Sequence, residues 1–268
     1  MRTAGGGRRF PRRGPAYGRA SAYARTVLRI IDAGTGEAVE AAPARRGLTR
    51  VEAHAPALDT TALRVLLVAD VLVRALELGG TPVWGLLRAG RQQTELRAAA
   101  AALGVRPLED RAAAGPGLGE RQVLHVAAEG TPVPDGGVRV AVAAVGPPGG
   151  FPVDDTDPGA LRLALLSRRR SEPVRLDADA LAEAREAVAG WRRAVAGWAR
   201  QPSRPIPEEV RGRLRAAWED DLDVPGVLSV LRWVETEPEL PDGARFETYV
   251  HADRLLGLDL AGDLGAPS

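Results

Sequence analysis

The stretch from Leu48 to Leu87, LTRVEAHAPALDTTALRVLLVADVLVRALELGGTPVWGLL, decides the fold. Two short segments, Leu48–Ala55 and Val83–Leu87, read as strands, and between them Thr61 to Leu78 reads as a helix. Leu63, Leu66, Leu67, Val71 and Leu76 are spread widely round that helix, so it is expected to be buried rather than to float one face on water. Asp59 or Thr60 can cap its start, and Gly79-Gly80 stops it. A strand, helix and strand in this succession form a crossover unit, which implies parallel strands and a right-handed connection.

The pattern extends in both directions. Upstream, Val27-Leu28-Arg29-Ile30-Ile31 reads as a strand before the turn Asp32-Ala33-Gly34-Thr35-Gly36. Downstream come an Ala-rich helix at Gln92–Leu103, a loop at Pro107–Gly119, and strands at Gln122–Ala127 and Val138–Val145. Gly146-Pro147-Pro148-Gly149-Gly150 can continue neither kind of element and marks a boundary. Beyond it the reading is helical. Asp157 caps a helix that has Pro158 at its first position and runs through Ser167, and Asp177 or Asp179 starts a second that reaches about Arg200. Within that second helix Ala189-Gly190-Trp191 and Ala196-Gly197-Trp198 recur seven residues apart, which places both indoles on one face. Glu208–Trp218, Pro225–Val234 and Phe246–Leu256 are further helices. The expected organisation is an arm at residues 1–26, an α/β domain at 27–150 and a helical domain at 151–268.

Composition excludes whole classes of chemistry. The chain has no lysine and no cysteine, so arginine supplies all 36 of its basic residues. Without lysine there is no P-loop ammonium and no Schiff-base nucleophile. Without cysteine there is no thiolate nucleophile, no disulfide and no sulfur ligand for zinc. No apolar run has the length of a membrane span, and no apolar segment follows the first arginines as a secretory signal requires, so no membrane association is expected and cytoplasm is the expected location. The net charge of +1 hides an asymmetry. Arg2, Arg8, Arg9, Arg12, Arg13, Arg19, Arg25 and Arg29 stand in an acid-free opening, while the rest of the chain is acidic. Such an arm can dock on nucleic-acid phosphates; a disordered extension accounts for it more simply.

Other constellations have plain structural readings. His54, His125 and His251 would form a metal site only if two or three converged with a carboxylate, and of these His54 and His125 end strands of a common sheet. Two unrelated, partly buried imidazoles is the simpler expectation, so no metal ligand is assigned. Asp154-Asp155-Thr156-Asp157 has carboxylates for magnesium but reads as a turn with an N-cap. Arg168-Arg169-Arg170 can meet an RNA phosphate, although residues 157–268 hold 16 arginines against 20 acids. Trp191, Trp198, Trp218 and Trp233 are expected in the core rather than stacked on bases.

Several segments, in order, resemble cysteinyl-tRNA synthetases and the related actinobacterial ligase that joins cysteine to glucosaminyl-inositol. Leu28-Arg29-Ile30-Ile31-Asp32…Gly36-Glu37 is similar to the family's opening strand and turn. Val68-Ala69-Asp70-Val71-Leu72-Val73-Arg74…Leu76-Glu77-Leu78-Gly79-Gly80-Thr81-Pro82-Val83 is similar to its first crossover helix and following strand, and Ala102-Leu103-Gly104-Val105-Arg106-Pro107 to a later phrase. Asp157-Pro158-Gly159-Ala160-Leu161-Arg162-Leu163-Ala164-Leu165-Leu166 resembles the helix that opens the tRNA-binding region. Glu219-Asp220-Asp221-Leu222-Asp223-Val224-Pro225 and Leu255-Leu256-Gly257-Leu258-Asp259-Leu260 resemble two segments near its end.

The resemblance implies a reduced class I synthetase fold: a Rossmann-like parallel-sheet domain followed by a C-terminal helical bundle. It also implies where a nucleotide pocket would lie. The family's ATP-gripping His-Ile-Gly-His signature falls on Asp59-Thr60-Thr61-Ala62, which has no histidine, and Arg64 holds the place of the arginine that often follows it. Residues 135–156 contain neither the lysine nor the methionine of the family's second ATP loop. The zinc that reads the substrate thiol is held in the family largely by cysteines, so zinc is not expected here. His54, Asp59, Thr60, Thr61 and Arg64 are the nucleotide-pocket candidates, with ATP the nucleotide such a pocket would take, and no residue is assigned a catalytic role. The expected function is that of a non-catalytic relative acting by binding a protein partner, a nucleotide or tRNA. The alternative is a ligase that still activates cysteine with ATP, in which His54 and Arg64 replace the lost phosphate contacts.

Overall fold

The computed structural model describes residues 27–43, 47–114, 120–146 and 157–264. The N-terminal arm, residues 147–150 of the Gly/Pro boundary and Asp154-Asp155-Thr156 lie outside the described residues. The chain opens with an antiparallel hairpin of β1 (Arg29–Ile31) and β2 (Ala38–Glu40). Its turn is tied by Asp32, whose Oδ1 accepts from the Gly34 N–H at 2.9 Å and from the Arg139 N–H at 3.0 Å. The decisive stretch then folds as read: β3 (Leu48–Ala55), α1 (Thr60–Leu78) and β4 (Val83–Ala89), with β3 and β4 parallel. Next come α2 (Gln93–Ala102), β5 (Glu109–Asp110), β6 (Glu120–Ala128) and β7 (Val138–Val142). β5 is a two-residue strand inside the segment read as loop.

β3 to β7 form one five-stranded sheet, ordered β5-β4-β3-β6-β7 and parallel at every pairing. Counted along the chain within the sheet, that order is 3-2-1-4-5, compatible with a Rossmann-like domain. The order reverses between β3 and β6, and crevices for ligands in such sheets open at the carboxyl ends of the strands flanking that reversal. The first apolar run, β1, stays out of this sheet. It pairs only with β2 and, through the isolated bridge of Arg29 with Asp220, reaches the second half of the chain.

Strand alternation divides the sheet into two faces of different chemistry. Val51, Ala53, Ala55, Leu124, Val126, Val140 and Val142 are buried in the main core with α1. α1 is buried nearly all round, as its scattered apolar residues predict, and it buries Arg64 and Asp70 as well. The strand read as Val138–Val145 is broken: β7 ends at Val142, and Val145–Gly146 (β8) leaves the sheet to pair with Val174–Arg175 (β9).

Five helices fill most of the second half: α3 (Pro158–Leu166), α4 (Ala178–Trp198), α5 (Glu208–Glu219), α6 (Val224–Thr236) and α7 (Asp242–Leu256). α7 begins four residues before the expected Phe246, because Pro241 leads directly into it. Gly243, in its first turn, lies so close to the chain that an added Cβ would sit 2.0 Å from the Pro202 carbonyl oxygen. Trp191 and Trp198, placed on one face by their spacing, both meet the edge of Tyr249, at ring-centroid distances of 6.3 and 5.0 Å. Trp218 is buried, and Trp233 packs against the core with the Arg213 guanidinium 4.2 Å from its ring centre.

One buried carboxylate ties the two halves together. Asp70 of α1 accepts from Arg74 Nε at 2.8 Å, from Arg162 Nη2 of α3 at 2.6 Å and from Arg106 Nε at 3.3 Å. Arg162, fully buried, also donates to the carbonyls of Leu256 and Leu103. Burial alone would raise the Asp70 carboxyl, but the guanidiniums of Arg162 and Arg74 outweigh it and hold the group below its ordinary value.

Candidate functional site

The second face of the sheet carries charge. Arg50, Glu52 and His54 alternate with the core residues of β3; the register sets Glu52 opposite Leu86 and His125, and His54 opposite Arg88 and Ala127. His54 and His125 are therefore not two unrelated, partly buried imidazoles. Both are buried, with His54 Nε2 3.0 Å from His125 Nδ1 and their rings tilted at 58°. Glu52 is 1% exposed, and its Oε1 lies 3.9 Å from His54 Nε2. The sequence sets both histidines on strands of one sheet but does not give the register between them. Their meeting depends on the β3–β6 hydrogen-bond register, which places His125 beside Glu52 across the point where the strand order reverses.

Arginines close round the carboxylate. Arg88 Nε stands 3.1 Å from Glu52 Oε1, Arg111 Nε 3.4 Å and Arg50 Nε 3.5 Å from Oε2. Burial raises the Glu52 carboxyl, yet the hydrogen bond from Arg88 and the charges near it leave it below its usual value. Burial pushes His54 down to about 4; the attraction of Glu52 opposes this, while His125, Arg88 and Arg50 add to the fall. His125 is lowered too, first by burial, against the pull of Glu52 and with the help of Arg50 and Arg139. Near neutral pH both rings are thus uncharged, and one of the two facing nitrogens donates to the other; for both to turn lone pairs toward a metal, that proton must sit on the far nitrogen of its ring. Glu52, His54 and His125 are the group whose ligand atoms converge, all within 4.8 Å of one another.

The residues expected to grip a nucleotide lie elsewhere and are already engaged. Asp59 caps α1, its carboxylate accepting from the Ala62 N–H at 2.7 Å. Thr60 is buried in the first turn, and the Thr61 hydroxyl accepts from the Val145 N–H at 3.1 Å. Arg64 is fully buried. Its guanidinium donates to five backbone carbonyls: Leu165 at 3.1 Å, Ala143 at 2.8 Å, Glu172 at 2.7 Å, Arg169 at 2.8 Å and Arg168 at 3.4 Å. Five donors meet five acceptors, and none is left for a phosphate. Burial lowers Arg64 to about 10 against the pull of Glu172 and Glu129, so it stays charged. His54 does not join this group; it faces the opposite side of the sheet.

The arginine run is similarly divided. Arg170 is buried, donating to Asp221 and to the carbonyls of Ala141 and Ile31 at 2.7 and 2.8 Å. Arg169 pairs with Asp223 at 2.7 Å. Arg168 is exposed and, with Arg175 and Arg232, borders a cavity of about 570 Å³ between α3, α4 and α6. Its apolar lining includes Leu163, Ala184 and Leu228. No helix among the described residues is long and apolar enough to cross a membrane.

The cysteine-held zinc that the resemblance implies has no ligands in this chain, which contains no cysteine. No protein-family model matches the chain, and no similar protein was found among curated ones. What is shown is an α/β chain with a five-stranded parallel sheet and a polar cluster at its strand-order reversal.

Proposed function

We propose that the chain is a non-catalytic relative of the cysteinyl-tRNA synthetases that acts by binding and does not activate an amino acid. One observation carries this reading. Arg64, in the place of the arginine that often follows the family's ATP-gripping signature, is spent on five backbone carbonyls, and its neighbours Asp59 and Thr61 are spent on backbone N–H groups. Transition-state charge on a phosphate needs donors aimed at the developing oxyanion, and here those donors hold α1 to the segment 165–172 instead. The sheet order and the run of helices after it are compatible with the resembled fold, which supports the ancestry.

Binding needs a concave surface with mixed chemistry, and the cavity between α3, α4 and α6 supplies one of ligand size. Its three arginines, Arg168, Arg175 and Arg232, outnumber the two acids Glu172 and Glu183 and suit an anionic group on a protein partner, a nucleotide or tRNA, and its lining suits an apolar one. The ligase reading needs Arg64 free for phosphate, which would cost five buried or half-buried hydrogen bonds. The test is amino-acid-dependent ATP–pyrophosphate exchange with each proteinogenic amino acid. No exchange above a protein-free blank is expected; exchange that saturates with cysteine would overturn the reading.

A further inference from the structure

From the geometry of Glu52, His54 and His125 we infer a three-ligand site for a divalent transition-metal ion of the zinc class on the second face of the sheet. The three side chains are each at least nine-tenths buried, and their ligand atoms all lie within 4.8 Å of one another. Two ligands of a tetrahedral zinc stand about 3.3 Å apart when each is about 2.0–2.1 Å from the ion. The His54 Nε2 to His125 Nδ1 separation is 3.0 Å, and Glu52 Oε1 stands 3.9 Å from His54 Nε2. With every separation within 4.8 Å, the donors need to close by up to about 1.5 Å to hold an ion. Glu-x-His along one strand and a histidine on its neighbour put all three on one face, and strands hold ligands more rigidly than loops do.

The chemistry of the donors agrees. Two neutral imidazoles and a carboxylate suit zinc, cobalt or nickel better than the hard magnesium and calcium ions. Three protein ligands leave a fourth position for water or another ligand. This set has nothing in common with a cysteine-held zinc, and the inference does not depend on the binding reading above.

The arginines oppose the ion, and that opposition makes the site recognisable. Arg88 pairs with the Oε1 that would ligate and is about half exposed, so it can swing into water as an ion enters. Removing one half-exposed unit charge beside a divalent ion should tighten binding by roughly tenfold. An ordinary structural pair would show no such gain.

The test uses the full chain, stripped with a chelator, and zinc alone titrated by calorimetry, with cobalt(II) replacing it for the visible spectrum. One ion per chain is expected, with the intense d–d bands of tetrahedral cobalt. His54→Ala and His125→Ala should each weaken zinc at least tenfold, His251→Ala should leave it unchanged, and Arg88→Ala should tighten it. If either cluster variant fails to fold, His125→Gln with an unchanged circular dichroism spectrum takes its place. No zinc uptake by the wild-type chain overturns the inference. So does uptake that survives His125→Gln or disappears in His251→Ala, because the ion would then be held elsewhere.

Discussion

Replacing Arg64 with alanine should unsettle the whole junction between α1 and the segment after α3. The guanidinium satisfies carbonyls of Ala143, Leu165, Arg168, Arg169 and Glu172, drawn from two separate stretches of chain. A buried carbonyl left without its donor costs about 1–3 kcal/mol, and donors on a charged group lie at the upper end. The bonds to Leu165 and Ala143 are fully buried and should cost about 2 kcal/mol each. The other three are part-buried, and water can replace much of the loss, leaving about 0.5 kcal/mol each. The sum is about 5.5 kcal/mol, a large share of the roughly 5–15 kcal/mol that holds a domain folded. Urea unfolding followed by circular dichroism and tryptophan fluorescence would read it as a lowered midpoint at unchanged slope. Arg64→Lys keeps the charge but offers three donors in a different geometry, so it should recover less than half of the loss. An alanine variant within about 1 kcal/mol of wild type would refute the clamp. The guanidinium would then be available to a ligand.

Further predictions follow the same bookkeeping. Asp70→Asn removes the charge that balances the fully buried Arg162 and should cost about 3 kcal/mol near neutral pH. Because the folded-state Asp70 is held below its ordinary value, its contribution is present above about pH 4 and is lost as the pH falls through the folded value. The gap between wild type and Asp70→Asn, measured by urea titrations from pH 7 downward, should therefore narrow on the acid side. Tyr249→Phe deprives the Leu231 carbonyl of a buried hydroxyl donor at 2.9 Å and should cost about 1–2 kcal/mol by the same assay. Gly243→Ala would place a methyl 2.0 Å from the Pro202 oxygen, a clash with backbone that must be relieved by moving the start of α7; a midpoint lowered by at least about 2 kcal/mol of stability is expected. A neutral result there would show that the 202–204 segment yields freely.

The parts of the fold that were legible in the sequence were those specified locally. The crossover helix announced itself by its cap, its Gly-Gly stop and its apolar surround, and it runs Thr60–Leu78 against an expected Thr61–Leu78. The two indoles of α4 meet one tyrosine because a seven-residue spacing is a property of the helix itself. What depends on distant pairing was not legible. Val27–Ile31 has strand composition, but nothing local says that it joins β2 and not the parallel sheet. Ala143 and Ala144 look like strand continuing from Val142, yet the chain leaves the sheet there so that Val145–Gly146 can pair with Val174–Arg175.

The candidate site shows the same division. Arg64 was singled out for its place beside a family signature, and that place is silent about carbonyls 79 to 108 residues further along. The sequence sets His54 and His125 on strands of a common sheet, while Glu52 belongs to no motif. Arg50, Glu52 and His54 alternate with Val51, Ala53 and Ala55, so the strand has one charged face, but nothing local says that this face is buried. A buried carboxylate needs partners, and Arg88, Arg111 and Arg50 are those partners.

If the chain is, as proposed, a synthetase relative without the chemistry, ATP–pyrophosphate exchange should be absent. The purified full chain would be assayed with cysteine, with and without added zinc, beside Arg64→Lys as a control for any residual signal. Exchange no faster than the blank is expected in every condition. Cysteine-dependent exchange that is lost in Arg64→Lys, while the variant remains folded, would contradict the proposal and return Arg64 to the phosphate.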